Sequence, residues 1–443
     1  MKKPVGLLVA LVLFGIFGGL WLWSNKKEEA KSKAPPAADT STKLQTIPED
    51  QFQEIRIKKG ADTVVMRRDN GKWAITEPKP YQADPDASSS LVSSLAGVAA
   101  DKLIDAKPAN LADYGLASPQ LDLTVVRKDG KTNELQIGDE TPTNSGFYAK
   151  EAGGDGKVYT IMTYVKTGLD KGLNDLRDKR LLHFDQDKIT RIDLAAKGVP
   201  VQFGKNNNNQ WQILQPKPLR ADSGSVDSLI SKLKDAKMDL ASPDADAAKK
   251  FAEAPKIASV SITDVSGTET LEVHQTKDHD YYAKSSVVDG VYKIPGDVGD
   301  AVNKGLDDFR NKKLYDFGFS DPSKLEIVNN GAASAYTKSG DKWMSGSKTM
   351  DNSTVQTLID KLRDLSADKF VDAGGGNTVF EGTVTAGGKS PEKVIIRKQG
   401  DQYFAQREGE PSIYQLTAGS VAEVQTAASG IKEQAPAAAP KKK

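Results

Sequence analysis

Two histidines come closest to a metal-ligand spacing. His274 and His279 stand five apart in "HQTKDH". The zinc pair of a hydrolytic site stands one helical turn apart, at i and i+4, with a glutamate between to act as base. Here the surrounding residues read as a strand running into a hairpin. The expectation is a surface strand and turn, with a weak metal site as the alternative. His183 stands next to last in a charged phrase whose other copy carries Asp316 in that place, so the copies share no imidazole chemistry. With no cysteine among 443 residues, thiolate metal centres, iron–sulfur clusters, disulfides and a cysteine nucleophile are excluded.

Other chemistries fail on spacing. Gly-Lys pairs end at Lys72, Lys131, Lys157, Lys205 and Lys389, but the first glycine of a phosphate-cradling loop is replaced by Met66, Val125, Glu151, Val199 and Thr383. No Gly-x-Ser-x-Gly elbow occurs, and "DADAAKKFAEAP" from Asp244 lacks the central glycine and final glutamate of a calcium loop. A Ser–Lys dyad or a carboxylate pair for glycoside hydrolysis leaves no spacing that sequence can single out. No catalytic residue, metal or cofactor is therefore expected. Lys+Arg 61 against Asp+Glu 60 gives a charge of +1, without the basic footprint that nucleic acid would require.

Two sets of residues remain as binding candidates. Phe147-Tyr148, Tyr281-Tyr282 and Tyr403-Phe404 are adjacent aromatics on strands, where neighbours face opposite sides. Tyr148, Tyr282 and Tyr403 are candidate exposed aromatics for a glycan or protein platform. Cross-strand packing is the favoured reading of these pairs. The second set lies in "KGLNDLRDKRLLHF" and "KGLDDFRNKKLYDF", which begin 133 residues apart and agree at eight of fourteen positions. Asp175, Arg177, Lys179 and Phe184, with Asp308, Arg310, Lys312 and Phe317, are candidate inter-repeat junction or docking residues. The charges would pair along a helix end or with a neighbouring unit's edge. Leu181, Phe184, Leu314 and Phe317 would form an apolar plug between units.

The elements that must hold these residues repeat. Trp73, Trp211 and Trp343 each follow a Gly/Asn/Asp turn, at intervals of 138 and 132 residues. Each is followed by one amphipathic helix: Val226, Leu229, Ile230 and Leu233 in the second copy, Val355, Leu358, Ile359 and Leu362 in the third. Ser88, Leu91, Val92 and Leu95 hold these places in the first. Asp84, Asp222 and Asp351 precede the helices as caps. The fold class expected is α+β: three tandem repeats of short, mostly antiparallel strands with one main amphipathic helix each. The units run over 44–182, 183–315 and 316–430. A disordered tail covers 431–443.

Ahead of the repeats, Pro4–Trp23 is an uncharged run of twenty residues, about 30 Å as a helix and enough to cross a bilayer core. Trp21 and Trp23 close it as an interfacial belt. The expectation is a transmembrane anchor over 1–23, then a flexible Pro/Ala-rich linker over 24–43.

"NGKWAITEPKPYQAD", "LADYGLASPQLDLTV" and "FYAK…VYTI…LNDLRDKRLLHF" together resemble the bacterial family catalogued as domain of unknown function 4340. The resemblance is clearest over Ile47–Phe184 and continues more loosely to Tyr414. It implies a membrane-anchored envelope protein, often encoded beside ABC-type export permeases, and brings no catalytic residue. The expected function is a non-enzymatic periplasmic scaffold or accessory protein on the bacterial inner membrane. It would be single-pass with the bulk of the chain periplasmic. The partner would be a membrane protein such as an ABC permease, or a glycan. The alternatives are an envelope hydrolase with an unrecognised carboxylate or Ser–Lys site, and a solute binder.

Overall fold

The computed structural model describes residues 42–241, 244–388 and 390–435. The anchor expected over 1–23, nearly all of the linker and residues 436–443 of the tail lie outside the described residues. Among the described residues no helix is long and apolar enough to cross a membrane.

The first sheet has nine antiparallel strands. Their order is Tyr81–Gln82, Lys72–Glu77, Asp62–Asp69, Phe52–Lys59, Leu121–Arg127, Thr132–Glu140, Gly146–Glu151, Val158–Met162 and Lys102–Asp105. It consists of two meanders laid side by side. Short turns dictate the meanders: at the hairpin before Trp73, Asn70 and Gly71 take φ of 49° and 83°, the left-handed pair that a two-residue turn needs. The main helix Pro85–Ala96 joins the meanders across one face. Asp84 caps it by accepting from the backbone N–H groups of Asp86 and Ala87, and Ser88, Leu91, Val92 and Leu95 are buried along its inner stripe.

The same strand order recurs in an eight-stranded sheet from Leu219–Arg220 to Val291–Ile294, and in a nine-stranded sheet from Lys348–Thr349 to Lys369–Val371. Asp222 and Asp351 cap the helices Ser223–Lys234 and Asn352–Asp364, whose predicted apolar stripes are buried. Each sheet has its own core. Strands take 44% and helices 23% of the described residues, so the body is mostly β with antiparallel sheets rather than an even α+β mixture. One main helix suffices to cover a face that two meanders build. The chain divides into two compact units. One ends at Asp178 and holds the first sheet; the other starts at Lys179 and holds the second and third.

The second sheet has one addition. Where the other two place an edge strand, it has a single bridge, Asp239 to Lys293. The helix Asp244–Glu253 follows and packs on strands Tyr281–Ser285 and Val291–Ile294.

Candidate functional site

The repeated phrase is a strap with two halves. In the first copy, Asp84 donates its N–H to the Leu176 carbonyl at 2.8 Å and Asp178 donates to Gln82 at 2.9 Å, with Arg177 bridging Ala83. This half closes the first unit. From Lys179 onward the chain pairs within the second unit: Met238 donates to the Lys179 carbonyl and Leu181 to Ala236, both at 2.8 Å. The second copy repeats the plan. Asp222 donates to Phe309 at 2.8 Å and Asn311 to Arg220 at 3.0 Å; then Ala367 donates to Lys312 at 2.8 Å and Leu314 to Leu365 at 2.9 Å.

Half-straps occupy the corresponding places in the first and third sheets. The strand Lys43–Thr46 pairs with Gly97–Ala99, just after the first main helix. Beyond the third sheet, Asp351 donates to the Lys432 carbonyl and Gln434 to Thr349, both at 2.9 Å, and Glu433 bridges Met350 where Arg177 and Arg310 bridge theirs. Residues 432–434, expected to be disordered tail, are thus paired and close the third sheet. The full phrase thus stands at each of the two passages from one sheet to the next.

The strap side chains act locally. Asp175 accepts from the Gly172 N–H at 2.8 Å and Asp308 from the Gly305 N–H at 2.7 Å, each fixing a helical turn. Arg177 is buried, 4.2 Å from the Tyr81 ring centroid. Lys312 donates to the Asp368 carbonyl at 3.1 Å. Lys179 contributes its backbone. Phe184 is half-buried against the second core, while Leu181 lies inside it; Leu314 and Phe317 lie inside the third. The expected plug between units is therefore corrected: the bridges at Arg180 and Lys313 turn the chain onto the following sheet before these apolar residues arrive.

Around Arg310 the strap reaches across to another sheet. Its guanidinium lies 3.5 Å from the Phe370 ring centroid and pairs with Asp307 at 3.0 Å. It also donates to Ser412 Oγ at 2.9 Å. Beside it stands a residue that the sequence reading missed. Arg220 pairs with Asp316 at 2.5 Å and Glu410 at 2.8 Å, and donates to Tyr414 at 3.0 Å. Arg407 pairs with the same Glu410 at 2.8 Å and with Glu392 at 3.2 Å. Burial works against the Arg220 charge most strongly, yet Tyr414, Asp316 and Glu410 together hold its pKa above the ordinary arginine value. Burial likewise raises the Tyr414 phenol, with Glu410 adding to it and Arg220 opposing. A cleft of about 390 Å³ opens here, lined by Pro218, Arg220, Glu410 and Pro411 among others. Every charged group in the cluster has a fixed opposite charge, so the arrangement clamps two sheets together rather than moving protons.

The aromatic platform is corrected. Tyr148 is half-buried, edge-on to Tyr114 at 5.1 Å between centroids. Tyr403 is half-buried against the third core. Tyr282 is 1% exposed, because the helix Asp244–Glu253 covers its face of the second sheet. His274, opposite Tyr282 in register, stacks on Phe251 at 3.8 Å and contacts the Ala254 carbonyl at 2.7 Å and Glu272 at 2.9 Å. Among the described residues no cluster of three or more His, Asp or Glu could hold a metal ion.

A family model described as a domain of unknown function, DUF4340, matches residues 73–215 and 211–379. The chain belongs to the DUF4340 family. No curated protein and no solved structure matches. Both DUF4340 segments open on a hairpin tryptophan, in the first meander of one sheet, and run through a strap into the next sheet. The DUF4340 match therefore encloses one whole strap each time.

Proposed function

We propose that this protein is a non-enzymatic scaffold or accessory protein of the bacterial envelope. Pro4–Trp23 would anchor it once in the inner membrane, and three tandem copies of one sheet-and-helix unit would stand in the periplasm. It works by binding a protein or a glycan, with an ABC-type export permease as the expected membrane partner. The observation that carries this reading is the use of the charges around the second strap: Arg220 of the second sheet pairs with Glu410, Arg310 of the strap lies over Phe370, and Arg407 holds Glu392 and Glu410 within the third sheet, so each is spent on structure. In-cell crosslinking of the full-length protein, followed by purification in mild detergent, tests it. Recovery of permease or ATPase subunits, lost when Met1–Trp23 is replaced by a soluble export signal, supports the reading. Recovery of the protein alone, together with turnover of a glycan or peptidoglycan substrate by the purified chain, would replace it with a hydrolase.

A further inference from the structure

The first and third sheets share a corner that is filled in one and open in the other. Tyr159 and Tyr414 occupy the same place in their sheets. Each hydroxyl donates to a carboxylate four residues earlier: Tyr159 to Asp155 at 3.2 Å, Tyr414 to Glu410 at 2.9 Å. Each lies opposite the matching residue of an outer strand, Leu103 in Lys102–Asp105 and Phe370 in Lys369–Val371. In the third sheet a neighbouring sheet edge sits on this corner. Arg220 takes both members of the acid–phenol pair, and Arg310 lies over Phe370. In the first sheet Asp155 has Lys157 of its own hairpin at 2.8 Å. Leu103 and Ile104 are 52% and 45% exposed, and Met162 and Tyr164 beside them are exposed as well.

We propose that the corner formed by Leu103, Ile104, Asp155 and Tyr159 is a docking surface for a partner protein whose strand edge presents an arginine, in the way Arg220 is presented to Glu410 and Tyr414. The outer strand Lys102–Asp105 pairs on one side with Val158–Met162, and its other edge is where an incoming strand would add backbone hydrogen bonds. The exposed leucine and isoleucine supply the apolar contact, and the acid–phenol pair selects a guanidinium. The chemistry disfavours a second copy joined end to end. At the places of Arg220 and Arg310 the third sheet carries Thr349 and Glu433, and Glu433 would bring a second carboxylate toward Asp155. The inference rests on the reading of the chain as a protein-binding scaffold, and specifies the surface.

The test uses the full-length protein in cells, with a photoreactive phenylalanine analogue in place of Leu103 and, separately, in place of Phe319, which is 95% exposed on the other unit. The expected result is a protein adduct from position 103 whose attached peptide, identified by mass spectrometry, carries an arginine. Loss of the charge pair should lower its yield about tenfold in the Asp155→Arg background. With the analogue in place of Ile104 instead, Leu103→Asp should act likewise without lowering the melting temperature, which separates loss of docking from the hydrogen bonds that Asp155→Arg gives up in its own hairpin. Undiminished yield in both variants, or an adduct from position 103 to lipid or to a second copy alone, overturns the proposal. Protein adducts from position 319 alone overturn it while leaving the scaffold reading intact. Protein adducts from neither position would remove both.

Discussion

Arg220 donates to the Tyr414 hydroxyl at 3.0 Å across 194 positions of chain, from the edge of the second sheet to the interior of the third. Gln82 fills the place of Arg220 in the first sheet, and both residues offer their backbone carbonyl to a strap, Gln82 to Asp178 and Arg220 to Asn311.

Arg220→Ala should cost about 3 kcal/mol in the second unit, because Asp316, Glu410 and Tyr414 would keep their partial burial and lose their shared cation. Arg56→Ala is the comparison. Its side chain is 54% exposed while pairing with Glu54, and the loss should stay within about 1 kcal/mol. Amide exchange in strands Arg191–Ala196 and Pro322–Asn329 measures the first. Equal, small losses from both substitutions would mean that the Arg220 cluster is not a clamp.

Alkaline pH should loosen the second unit through Tyr281. Its hydroxyl donates to Asp300 at 2.5 Å. Burial first, and this bond second, push the phenol from 10.0 up to about 12. A raised folded-state pKa stabilises fully below the unfolded value and ceases to do so as pH rises through the folded one. Stability should therefore hold up to about pH 10 and fall toward pH 12, and Tyr281→Phe should flatten that slope. An unchanged slope in the variant would assign the alkaline loss to other groups.

Gly299 sets two ordinary effects against each other. It lies in the helix Gly296–Val302, where alanine is the better helix former by about 1 kcal/mol. A Cβ placed there would come within 2.2 Å of the Tyr281 ring. Overpacking costs about 1–3 kcal/mol, so Gly299→Ala should destabilise the second unit despite the propensity gain. Thermal melting decides the sign.

What could be read from the sequence follows from period and proximity. The helix stripes at Val226–Leu233 and Val355–Leu362 and the caps at Asp84, Asp222 and Asp351 are local features, and they stand where the pattern puts them. The strap was legible as a charged, aromatic-ended phrase. Its division at Asp178 and Lys179 was not, since backbone pairing to Gln82 and Met238 leaves no residue-type signature. Arg220 stayed hidden because its partners arrive from the next repeat. The strict four-residue spacing of Glu410 and Tyr414, shared with Asp155 and Tyr159, was the available signal. Tyr282 misled because alternation assumes an open second face, and "DADAAKKFAE", weighed only as a calcium loop, is the helix that covers it.

The C-terminal half-strap yields the cleanest separation of structure from tail. Ending the chain after Gln434 keeps the bonds from Asp351 to Lys432 and from Gln434 to Thr349, and also the packing of Ile431 on the third core. Ending it after Gly430 removes all three, leaving the N–H of Asp351 and the carbonyl of Thr349 without these partners. Two backbone hydrogen bonds and a partly buried isoleucine amount to about 2–3 kcal/mol. The shorter chain should lose that much in the third sheet, read by amide exchange in Pro322–Asn329, while the longer one matches the full chain. Indistinguishable exchange in the two truncations would show that the third sheet closes without a strap, and would return the two internal phrases to the role of docking motifs.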